Sequence, residues 1–123
     1  MHLLALDHVA LYVRDLERSI EFYRDVLELQ PLPRPEFDFP GAWFHLGGGQ
    51  QLHLLGDRTE ELAAGTHGSR RNHYAVRVPS MADVVALLER KGVPFRGPKP
   101  RPDGVPQLFL EDPDGYWMEV NEY

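Results

Sequence analysis

The sequence predicts an α+β fold made of two paired βαβββ modules, with curved mixed sheets around a metal-binding cavity and the helices outside. Three observations predict it. The order of elements restarts at mid-chain, with a strand, a helix and three strands over about 4–56 and again over about 71–123. Four residues of metal-ligand type, His8, His53, His73 and Glu119, fall in strand-like runs at matching points of the two halves, 45 and 46 residues apart within each pair. Each of these runs alternates an apolar face with a mixed one, so that one face can pack on a helix while the other lines a cavity. Residue identity between the halves is weak. The repeat rests on the order of elements and on ligand placement, and 123 residues suffice for one domain holding both modules.

The elements follow in order. Leu6 to Val13 is β-rich. Asp15 can N-cap a helix through Glu28, with Leu16, Ile20, Tyr23 and Leu27 on one face. Pro31, Pro33 and Pro35 break that helix and start a loop or edge strand. Ala42 to Leu46 and Gln51 to Leu55 form a hairpin across Gly47, Gly48 and Gly49. Residues 57–71 are polar and read as a mobile connector. His73 to Val78 opens the second module. Ser80 caps a helix with Met81, Val84, Val85 and Leu88 on its apolar face, closed at Gly92. Val93 to Phe95 is a short extended piece, and the prolines between 98 and 106 predict a loop. Gln107 to Glu111 and Tyr116 to Glu122 are strands joined by a tight turn over Asp112 to Gly115.

Composition removes several classes of function. A net charge of −6 argues against a nucleic-acid partner, which wants a basic face. The absence of cysteine removes disulfides, thiolate metal sites and a cysteine nucleophile. No apolar run approaches the roughly 20 residues that span a bilayer, so no membrane partner is expected. Met1 leads almost directly into a strand with no signal-like region, and the expected compartment is the cytoplasm.

On the first strand His8, Ala10 and Tyr12 share the mixed face; on the fourth Gln51, His53 and Leu55 do; on the fifth His73, Ala75 and Arg77; on the eighth Trp117, Glu119 and Asn121. Three imidazoles and one carboxylate suit one divalent transition metal per site: zinc, nickel, iron(II), cobalt or manganese. Four ligands on a six-coordinate ion leave two positions, which a substrate with two neighbouring oxygens can chelate. The ion then acts as a Lewis acid toward a developing enediolate. A lone strand histidine is ordinarily a surface or core residue, and His2, His45 and His67 are read that way, although His45 lies near His53 across the glycine turn. Arg77 shares the face of His73 and Tyr12 that of His8; with Trp43 and Trp117 they form the candidate substrate-binding set. Aromatic strand residues are more often plain packing. The loop cations Arg70, Arg71, Lys99 and Arg101 are ordinarily just solvated.

Three stretches carry a family resemblance: Asp7 to Tyr23 (DHVALYVRDLERSIEFY), Asn72 to Val76 (NHYAV) and Phe109 to Glu119 (FLEDPDGYWME). The chain resembles the vicinal oxygen chelate superfamily, which includes glyoxalase I, extradiol dioxygenases, fosfomycin-modifying enzymes and bleomycin-resistance proteins. The resemblance implies paired βαβββ modules with metal ligands on the first, fourth, fifth and eighth strands, the places of His8, His53, His73 and Glu119. It also implies a homodimer in which His8 and His53 of one subunit meet His73 and Glu119 of the other. Arg34 to Trp43 and Leu52 to Leu55 look most like glyoxalase-I-like proteins. Bacterial glyoxalase I usually has a glutamate where this chain has His53, which leaves Glu119 as the only carboxylate ligand and the proton-transfer group.

The expected function is therefore a metal-dependent lyase or isomerase of glyoxalase type acting on a small oxygen-chelating molecule. A ring-cleaving iron(II) oxygenase using His8, His73 and Glu119 is the alternative, although a fourth ligand at His53 would take a position that oxygen and catecholate need. Fosfomycin chemistry is disfavoured by Ala10, where a hydroxyl residue is usual. A non-catalytic binding or resistance protein is disfavoured by the retention of all four candidate ligands.

Overall fold

The structure is a computed structural model and describes all of residues 1–123. It divides into two compact units, Met1–Glu61 and Leu62–Tyr123. The first holds β1 (His8–Tyr12), α1 (Leu16–Glu21) continuing into a π-helical turn (Phe22–Val26), β2 (Pro31–Leu32), β3 (Gly41–Gly47) and β4 (Gln50–Leu55). The second holds β5 (Tyr74–Val78), α2 (Met81–Lys91), β6 (Phe95–Pro100), β7 (Pro106–Glu111) and β8 (Trp117–Glu122). Strand order is β1-β4-β3-β2 in one sheet and β5-β8-β7-β6 in the other. The first and last strands of each unit pair in parallel, and the remaining pairs are antiparallel. Each unit is thus a βαβββ module with the same topology, as the restart of the sequence pattern predicts.

Alternation decides which side chains are most buried on β1, β4 and β7, whereas β8 is buried on both faces. In the first unit Leu11, Val13, Phe44, Leu52, Leu54 and Tyr23 are buried, while His8, Ala10 and Tyr12 stay exposed on the opposite face of β1. In the second, Leu108, Leu110, Met118 and Val120 are buried, as are Met81 and Leu88 on the apolar face of α2. The two helices start alike. Asp15 Oδ1 accepts from Arg18 N–H at 3.2 Å, and Asp57, just past β4, accepts from Leu16 N–H at 3.0 Å. Ser80 Oγ accepts from Asp83 N–H at 3.2 Å, and Glu122, at the end of β8, accepts from Met81 N–H at 2.5 Å. Each module therefore uses a carboxylate from the end of its last strand to satisfy a first-turn amide of its helix. At the far end of α2, Gly92 takes φ 68°, and Val93 N–H returns to Leu88 C=O at 2.9 Å, a glycine C-terminal motif.

Four local expectations change. The first helix gives way to a wider turn, with Leu27 N–H bonded to Phe22 C=O, and it stops before Glu28, whose φ is 59°. The proline-rich stretch predicted as a loop contains β6, which tolerates Pro98 and Pro100 because it is an edge strand that needs few donors. Its register shifts between Arg96 and Lys99. Gly97 sits in that bulge at φ 98°, where a Cβ would come 2.7 Å from Gln107 O. His73 lies one residue before β5 rather than in it. The connector is anchored at its start: Arg58 is buried, with its N–H on Val13 C=O at 2.7 Å and its guanidinium on Tyr12 C=O at 3.0 Å. No helix is long and apolar enough to cross a membrane.

Leu108 is fully buried. Leu108→Ala should lower unfolding free energy in urea by about 2–5 kcal/mol, whereas Leu3→Ala, at an exposed position, should change it by less than about 0.5 kcal/mol.

Candidate metal site

Parallel pairing places the candidate ligands. Ala10 of β1 is in register with His53 of β4, and His8 lies two residues earlier on the same face. Ala75 of β5 is in register with Glu119 of β8, and His73 lies two residues earlier. The offset is identical in the two units. In each, an alanine opposite the last-strand ligand leaves room for the preceding histidine to lean across. An aromatic residue closes the other side: Trp43 pairs with His53 across β3–β4, and Phe109 pairs with Glu119 across β7–β8.

In the first unit the result is a stack. The His8 and His53 rings lie 4.0 Å apart at 15°, and the Trp43 and His53 rings lie 4.1 Å apart at 3°. His8 Nδ1 is 2.6 Å from Asp7 Oδ2, which leaves Nε2 as the free nitrogen. His53 Nε2 is 2.8 Å from Gln51 Oε1, which leaves Nδ1. Desolvation by burial, and then the proximity of His8, hold the His53 imidazole below the ordinary histidine range.

In the second unit the result is a hydrogen-bonded pair. His73 Nε2 is 2.9 Å from Glu119 Oε2. His73 Nδ1 faces the carbonyl of Arg71 at 2.8 Å and that of Gly68 at 3.1 Å, so this nitrogen carries the proton that donates to the backbone. Glu119 Oε1 accepts from Gln107 Nε2 at 2.7 Å and from Asn121 Nδ2 at 2.8 Å. Nε2 and Oε2 are then both acceptors, and their 2.9 Å approach calls for a proton shared by the two or for a cation that both atoms ligate from adjacent positions. Burial alone would raise the Glu119 carboxyl; the hydrogen bonds from Asn121 and Gln107, together with His73, outweigh it and hold the group below the ordinary glutamate value.

The four predicted ligands thus stand as two pairs, one per unit, and no group of three or more His, Asp or Glu side chains is gathered to hold an ion. Of the predicted substrate-binding set, Trp43 stacks on His53, and Trp117 is buried beneath the Arg96 guanidinium. Tyr12 is exposed on the His8 face, and Arg77 lies over the Tyr123 ring at 4.3 Å. His67 is 3.1 Å from the Asn72 carbonyl, and His45 is exposed opposite Gln51. The polar partners Asp7, Gln51, Gln107 and Asn121 were not singled out from the sequence. Gln51 and Asn121 carry a readable signal, since each stands two residues from a ligand on its own strand. Gln107 becomes visible only through the β7–β8 register, opposite Asn121.

A sequence profile described as the Glyoxalase/Bleomycin resistance protein/Dioxygenase superfamily matches residues 5–120. The chain is 36% identical over 125 residues to a protein named Glyoxylase I 4 from Arabidopsis thaliana, covering 98% of this chain and 71% of that one. It is 32% identical over 127 residues to a lactoylglutathione lyase from Haemophilus influenzae, covering 94% of this chain and 90% of the relative. Among solved structures it is similar to a lactoylglutathione lyase from Agrobacterium tumefaciens, with a TM-score of 0.71 at 25% identity, covering 96% of this chain and 92% of that one.

A carboxyl held low in the folded state stabilises the fold above its unfolded value, and that stabilisation is lost as pH falls through the folded value. The thermal midpoint of the metal-free protein should therefore drop as pH is lowered through and below the ordinary glutamate range. Glu119→Gln, which removes this titration, should make that drop smaller.

Proposed function

The chain belongs to the Glyoxalase/Bleomycin resistance protein/Dioxygenase superfamily, and from that premise we propose that it is a divalent-metal-dependent lyase or isomerase acting on a small substrate with two neighbouring oxygens. The observation that carries this reading is the state of Glu119. Two amides occupy Oε1, while Oε2 is aimed at His73 Nε2, whose ring is fixed by backbone carbonyls at its other nitrogen. That is a carboxylate and an imidazole held with their lone pairs toward one point, the arrangement a cation takes. His8 adds a nitrogen freed by the Asp7 carboxylate, and His53 adds one freed by Gln51. The donor chemistry fits a borderline divalent ion such as zinc, nickel, iron(II), cobalt or manganese. His8, His53, His73 and Glu119 would hold it.

When bound, the ion supplies Lewis-acid polarisation of the substrate oxygens. The protein's own part is proton management. Glu119 is the single carboxylate of the donor set, so Oε2 is the atom that would take a proton from the substrate carbon and return it. Gln107 and Asn121 keep the carboxylate ionised and oriented for that exchange. By the family resemblance His53 stands where bacterial glyoxalase I usually has glutamate, so the proton would have no second carboxylate to use.

We further propose that the active unit is a homodimer in which His8 and His53 of one subunit serve with His73 and Glu119 of the other. A second reading, a ring-cleaving oxygenase on His8, His73 and Glu119, is favoured by the sandwiching of His53 between the His8 and Trp43 rings.

Metal content of protein purified without a histidine tag tests the first proposal: one ion per chain is expected, and no uptake by the apoprotein overturns every metalloenzyme reading. His53→Ala should weaken metal affinity at a four-ligand site, whereas unchanged affinity points to the oxygenase. Hemithioacetal isomerisation and catechol cleavage, assayed with nickel, zinc and iron(II), then separate the two reactions. For the shared site, His53→Ala and Glu119→Gln chains should each lose metal alone, and their mixed dimer should regain one intact site of two; no regain places the ligands within single chains.

A further inference from the structure

A depression of about 380 Å³ lies at the end of the second sheet, where β6 begins, β7 ends and β8 begins. Phe95, Phe109, Leu110 and Trp117 give it apolar walls, and Arg96 and Glu111 bring its only charges. The register connects it to the candidate metal site. Arg96 pairs with Phe109 across β6–β7, and Phe109 pairs with Glu119 across β7–β8. Residues paired across antiparallel strands project on one face, so Arg96, Phe109 and Glu119 form a row two strand spacings long, about 10 Å. Phe109 also meets the His73 ring edge-on at 5.9 Å and the Trp117 ring at 5.6 Å.

Arg96 is the cation that lines this depression. Arg101 is paired with Asp103, Arg71 is bonded to the Gly65 carbonyl, and Arg77 lies on Tyr123. Arg96 lies over the Trp117 ring, 4.7 Å from its centroid, much as Arg77 lies over Tyr123, and it has no ion pair. Stacking fixes the plane of a guanidinium and leaves its N–H edge free, the geometry for bidentate capture of a carboxylate. Glu111 lines the same depression and would repel a second negative charge, which favours a singly charged carboxylate over a phosphate.

We propose that this depression is the specificity subsite of the enzyme. It receives a carboxylate on the unreactive end of the substrate, held by Arg96, with an apolar middle lying over Phe109 and the reacting oxygens about 10 Å away at Glu119. The assignment of the reacting end rests on the metal-site reading above; the carboxylate pocket itself does not.

The test uses metal-free protein and two probes of one shape, 3-phenylpropanoate and its neutral amide, followed by calorimetry or tryptophan fluorescence. The acid should bind about tenfold more tightly than the amide, as expected for one charge-assisted contact, and Arg96→Gln should abolish that preference. Arg96 is a surface side chain; should the glutamine variant fail to fold, Arg96→Lys carries the test, with a reduced preference expected. Equal binding of acid and amide, absence of binding, or a preference unchanged in either variant overturns the subsite. A preference that depends on Arg96 in protein that takes up no metal keeps the carboxylate pocket and removes the metal reading. Metal uptake with no Arg96-dependent preference does the reverse.

Discussion

In each module the last strand is laid parallel beside the first, and everything at the candidate site depends on that pairing. Parallel neighbours cannot be joined by a tight turn, so the chain must cross over, and in both modules the helix and two further strands make that crossing. The pairing sets which residues can meet. Ala10 opposite His53 and Ala75 opposite Glu119 are the smallest side chains on their faces, and they allow the histidine two residues earlier to reach its partner. Both helix starts are tied to the same ladder, through Asp57 and Glu122.

The two halves use this frame for different electrostatics. The first presents stacked rings: His8, His53 and Trp43. The second presents a buried carboxylate, which is costly to desolvate unless its oxygens are satisfied. Gln107 and Asn121 satisfy one oxygen, and the other is turned to His73. That asymmetry leaves Glu119 as the single carboxylate among the four candidate ligands.

Much of this could be read from the chain. Period-2 alternation marked the buried faces of β1 and β4, because a strand with one packed face has no other pattern open to it, whereas β8 is buried on both faces. The repeat of elements announced the shared topology, and the candidate ligands were visible by type and spacing. What stayed hidden depends on register. Pro98 and Pro100 look like a loop until β6 is known to be an edge strand. Gln107 and Arg96 are ordinary polar residues until cross-strand pairing sets one opposite Asn121 and the other in the row of Glu119. The wider turn after α1 has no sequence marker, since Phe22 to Val26 continues the helical pattern of Leu16 to Glu21.

The alanines at 10 and 75 carry a consequence for how such proteins diverge. Each clears the space next to one last-strand position, whatever side chain stands there. A histidine at 53 or a glutamate at 119 is delivered by the same backbone, so exchanging one donor for another is a single-codon event that leaves the sheet untouched. In this chain strand pairing sets the frame, and one side chain on each last strand sets what the frame presents.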